Sequence, residues 1–121
     1  MVDPTHIAWL VDAERRDFQR LCASCHGDDG RGDGPAAAAL QTTPPDLTQI
    51  ANTNDGRFSR RDLAEWIEGR MTPAAHGTRE MPIWGEQLLE EYALFPEAED
   101  MVGARIDTLI TYLETLQATG S

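Results

Sequence analysis

Between Pro4 and Leu21 the apolar residues Ile7, Val11, Phe18 and Leu21 recur at helical intervals, and Pro4 suits a first turn, where its missing N–H has no partner to lose. The spacing predicts one helix running up to Cys22. Glu14 interrupts the stripe where continued periodicity would want an apolar or small residue. Farther along, Ser59 with Asp62 three residues on resembles a capping box, and Leu63, Trp66 and Ile67 then share a face before Gly69 stops the run. Another helix is expected after Pro82, through Leu88, Leu89 and Tyr92 to about Phe95, just before Pro96. The strongest pattern is the last, where Val102, Ile106, Leu109, Leu113 and Leu116 step by four, three, four and three, flanked by Ile110 and Tyr112. No alternating pattern of strand length and no internal repeat is visible, so the fold class is all-α, with the last helix packing on the first.

Between Gly27 and Arg57 lie five glycines and three prolines, with Asp28, Asp29, Asp33, Asn52, Asn54 and Asp55 among them. That composition favours turns, with room for a short helix from Ala36 to Leu40. A loop this long inside a compact domain is expected to wrap something.

At 121 residues the chain is expected to form a single domain, 1–121, and a large prosthetic group would supply apolar surface that only 7% aromatic residues do not. The net charge is −11, and every basic residue is arginine. Such a balance argues against binding nucleic acid or an anionic bilayer and favours a protein partner with a basic docking face. The apolar run Ile7 to Val11 is too short for a spanning helix or the core of a signal peptide, so no membrane insertion by this chain is expected.

The two cysteines, Cys22 and Cys25, are too close to staple a domain and are followed at once by His26. The run Cys22-Ala23-Ser24-Cys25-His26 is the attachment pattern of haem c. Two thiols two residues apart can each add to a vinyl group on one porphyrin edge, while the next side chain turns its imidazole under the iron. A thioredoxin-like pair would want a strand before it, and a zinc site a second ligand pair, which His6 and His76 supply only as isolated residues.

The second axial ligand separates electron carriers from gas binders and oxidants. Met71, His76 and Met81 lie in a Gly- and Pro-rich segment, and Met81 precedes Pro82, which biases it toward extended geometry and lets its thioether project. Met81 is the choice; a thioether favours ferrous iron and suits an electron carrier. Trp84 and Trp66 are candidates to line the pocket or to donate an indole N–H to a propionate, with core packing the plainer role. Arg57, Arg60, Arg70 and Arg79 are possible propionate partners, with a solvated arginine the default.

Phe18, the Cys22-to-Gly27 run, Gly34-Pro35, Met81-Pro82 with Gly85, and the closing helix around Tyr112-Leu113 together resemble a class I cytochrome c of the small bacterial type. The resemblance implies three to five helices around one covalently attached haem, first and last helices crossing, with His26 and Met81 as axial ligands. It also assigns to Pro35 the carbonyl that accepts from the proximal imidazole. An aromatic near Tyr112 would meet an aromatic and a glycine of the first helix, but the glycine's place is taken by Glu14. The helix crossing is therefore expected either to shift onto Ala13 or to widen with Glu14 at its rim. The implied function is one-electron transfer between redox partner proteins in the bacterial periplasm. Alternatives are an electron-entry domain or subunit of a larger oxidoreductase, and a haem sensor or peroxidase-like protein with an open distal site.

Overall fold

A computed structural model describes residues 4–41, 43–70 and 81–118, with side chains from residue 13 onward. Its α-helices are α1 (Pro4–Leu21), α2 (Ala23–His26), α3 (Arg60–Glu68), α4 (Trp84–Glu91) and α5 (Ala98–Thr115), with short 3-10 turns at Ala37–Ala39, Leu47–Gln49 and Asn52–Asn54. No strand occurs among the described residues. The backbone forms two compact units, one made of Met1–Phe58 with Thr111–Ser121, the other of Ser59–Ile110.

In the first unit, α1 spans the residues its periodicity predicts and runs into α2 through Cys22, whose N–H donates to the Phe18 carbonyl at 2.8 Å. Phe18 is fully buried, and its ring lies 5.2 Å from that of Tyr112 at an interplanar angle of 44°. Tilted aromatic pairs of this kind add to the area they bury. The first and last helices thus meet as expected, through Phe18 and Tyr112. Ala13 is exposed and Glu14 half-buried, so the crossing does not shift onto Ala13. Beyond α5, Gln117 ties the loop down: its side-chain amide donates to the Leu47 carbonyl at 2.7 Å and accepts from the Ala51 N–H at 3.1 Å, while the Ala118 N–H donates to the Thr48 carbonyl at 2.8 Å.

In the second unit, α3 begins at Ser59, whose hydroxyl accepts from the Asp62 N–H at 3.2 Å, and ends at Gly69 in the left-handed region with φ 77°. Both ends fall where the capping pattern placed them. Ile67 is buried, whereas Trp66 is half exposed rather than sharing its burial. Helix α4 stops at Glu91, four residues before the expected end, and Leu94 is almost fully exposed. The α5 stripe is the core, with Val102, Ile106, Leu109 and Ile110 each buried to 3% exposure or less. Arginine bridges join the helices: Arg60 to Asp107 at 2.8 Å and Arg105 to Glu91 at 3.2 Å, the latter also donating to the Tyr92 hydroxyl at 3.0 Å.

Candidate functional site

Cys22, Cys25 and His26 lie within one turn at the end of α1 and in α2. A helix of four residues leaves its last carbonyls without helical partners, and the loop after it supplies them. The N–H groups of Gly32, Gly34 and Ala36 donate to the carbonyls of His26 (2.7 Å), Cys25 (3.1 Å) and Ser24 (2.7 Å). Alternate residues of the following loop therefore cap successive carbonyls of the helix. Pro35 falls between two donors, where no N–H is needed. Gly34 permits the close approach, since a Cβ there would lie 2.5 Å from the Ala23 carbonyl oxygen and against that of Ser24 as well. Gly32 combines φ 88° with a backbone that a Cβ would drive into the Pro44 carbonyl oxygen. The expected short helix at Ala36–Leu40 is reduced to the 3-10 turn Ala37–Ala39.

His26 is buried at 9% exposure, and its Nδ1 has no hydrogen-bond partner. Burial holds the imidazole below its ordinary pKa, while the Pro45 backbone carbonyl acts in the opposite sense. The carbonyl acting on this ring is thus that of Pro45, ten residues beyond the Pro35 to which the resemblance pointed; Pro35 itself is exposed beside the Ser24 and Cys25 carbonyls. The Pro44–Pro45 segment is brought to the helix end by the close approach of the Pro44 carbonyl to Gly32.

Both cysteines carry free thiols and are half-buried. Burial, with Asp17 and Cys25 nearby, pushes the Cys22 thiol up to about 12. A neutral thiol is the opposite of the activated thiolate that a thioredoxin-type pair presents. The same surroundings keep His26 neutral, the form of imidazole that binds a metal. A buried ring nitrogen without a partner, a neutral imidazole and two free thiols on one helical turn fit a covalently tethered haem.

Met81 belongs to the second unit; it is half-buried and precedes Pro82 and the extended N-cap Ile83. Trp84, half-buried, opens α4. Met71 and His76, and the possible propionate partner Arg79, lie outside the described residues. Of the other arginines named for propionates, Arg60 and Arg70 are committed to carboxylates of α5. Sequence reasoning missed Pro45, for which the doubled proline Pro44-Pro45 was the one available signal.

The described residues are all-helical, and a Cys-x-x-Cys-His turn follows α1. The cytochrome c family model matches residues 15–117, and the chain belongs to that family, whose members bind haem c covalently and carry electrons. Comparison with curated proteins and with solved structures gave no match. No described helix is long and apolar enough to cross a membrane.

Proposed function

We propose that this chain is a one-electron carrier holding a single haem c through thioether bonds to Cys22 and Cys25, with His26 and Met81 as axial ligands. The observation that carries the reading is His26: a buried, neutral imidazole with an unpartnered ring nitrogen, one residue after the second of two free thiols. When bound, the haem supplies an iron that cycles between ferrous and ferric states.

The chain's own residues do the rest. Cys22 and Cys25 fix the porphyrin edge to α2, and the capping segment Gly32–Ala36 keeps that turn rigid. The Pro45 carbonyl, which acts against burial on the His26 ring, would orient the imidazole and raise its basicity when His26 holds the iron. Met81 would offer a soft thioether that favours the reduced iron, and its ligation opposite His26 would keep dioxygen out. Trp84, three residues on, lines the pocket wall. With His26 and Met81 both holding the iron, no position would be left for a substrate, and the chain would serve as a carrier rather than an enzyme. The net charge of −11 steers a partner with a basic face, an attraction that weakens as salt screens it. The periplasm of a bacterium is the compartment this reading implies.

The test is a near-infrared scan of the oxidised holoprotein, where a sulfur-to-iron charge-transfer band is expected and Met81→Ala removes it. Persistence of the band in that variant overturns Met81 as ligand. Pigment is expected to stay with the protein in acidified acetone, and release of it overturns covalent attachment. The reduced protein is expected not to bind carbon monoxide; binding without denaturation would instead favour an open distal site.

A further inference from the structure

Residues 71–80 lie outside the described residues; on either side of them, Arg70 and Gly85 meet at Glu68 in the second unit. After the left-handed Gly69, the Arg70 N–H donates to Glu68 Oε2 at 3.0 Å, and its guanidinium bridges to the Oε1 of the same carboxylate. The other side of the guanidinium forks onto Glu99 in the first turn of α5, with Nη1 to Oε1 at 3.0 Å and Nη2 to Oε2 at 2.8 Å. On the far end, Gly85, four residues past Met81, packs so closely on Glu68 that a Cβ would come 2.6 Å from the Glu68 carbonyl oxygen and against its carboxylate. Glu68 is therefore the node shared by the residue where the chain leaves α3 and the helix turn where it returns.

Planar, two-pronged pairing makes this bridge directional, unlike a single contact. The Arg70 side chain is 29% exposed, so its worth to global stability is small. Its effect falls on local opening instead, because the Glu68 that it braces is the surface on which the Gly85 turn packs.

We propose that Arg70, braced between Glu68 and Glu99, is a positioning residue for the axial thioether: it steadies the end of α3 on which the Gly85 turn, four residues past Met81, packs, and so resists displacement of Met81 from the iron. This rests on the reading of Met81 as ligand.

The experiment is titration of the oxidised holoprotein with imidazole, which competes with the native sulfur ligand, followed by loss of the charge-transfer band. Arg70→Gln is expected to bind imidazole roughly fivefold more tightly than wild type. Glu99→Gln, which breaks the fork from α5 without touching the loop, moves it the same way and decides the matter if Arg70→Gln fails to mature. Arg70→Lys, keeping charge without the fork, falls between. Arg60→Gln is the control, since Arg60 bridges α3 to Asp107 on α5 at similar exposure but away from Met81; it is expected to change imidazole affinity less than about twofold. An unchanged affinity in Arg70→Gln and Glu99→Gln, or an equal rise in Arg60→Gln, overturns the clamp. Absence of the band in wild type, or its survival in Met81→Ala, overturns the ligand assignment and the clamp with it, and is told apart from failure of the clamp alone, in which the band is normal and only the affinity stays fixed.

Discussion

The two compact units are held together by different means. Around Cys22–His26 the first relies on backbone: Gly32, Gly34 and Ala36 cap the helix end, and glycine is required where main chain meets main chain. The second is a set of helices joined over an apolar α5 face by arginine–carboxylate bridges. Main-chain capping against glycine tolerates little displacement, whereas partly solvated ion pairs give ground locally at small cost.

The largest expected effect is in the first unit's core. Phe18→Ala removes a fully buried ring and its tilted contact with Tyr112, costing about 4 kcal/mol in urea unfolding of the holoprotein; a loss below about 1 kcal/mol would mean that the helices are joined elsewhere. Next, Gly34→Ala forces a methyl into the Ala23 and Ser24 carbonyls, expected to cost about 3 kcal/mol or to prevent maturation. Wild-type-like stability there would erase the contrast in rigidity.

A pH series sharpens the other half of the comparison. The Arg70 guanidinium holds Glu99 below its ordinary carboxylate pKa of 4.5. Because the folded state favours the charged form, this contribution is present above pH 4.5 and fades as pH falls through the depressed value. Wild type is therefore expected to exceed Glu99→Gln in urea midpoint near neutrality, with the two converging below pH 4.5; a constant gap down to acid would show that Glu99 acts through something other than its charge. The smallest effect has the opposite sign. At Gly103, on exposed α5, a Cβ meets nothing within 4 Å, so Gly103→Ala is expected to stabilise by about 0.5–1 kcal/mol through helix propensity.

Periodicity and capping chemistry are local, and where they acted alone they could be read directly. The span of α1, the Ser59 and Gly69 ends of α3 and the buried α5 stripe all follow from side-chain spacing on one helix. The Cys22-to-His26 turn is legible for the same reason. Trp66 shares a helical face with Ile67 but not its burial, because α3 buries only part of that face. Helix α4 ends early, its last turn capped by the Tyr92 N–H on the Leu88 carbonyl rather than continued toward Pro96.

By itself, then, the sequence determined the helical elements and the chemistry of the attachment turn, since both depend on residues within a few positions of one another. Tertiary structure decided which carbonyl acts on His26, Pro45 rather than Pro35, and which carboxylates take Arg70, one of them 29 residues away. Those choices depend on how a loop folds against a helix end and where two helix termini meet, and neither the composition of the loop nor the spacing of its charges encodes such distances.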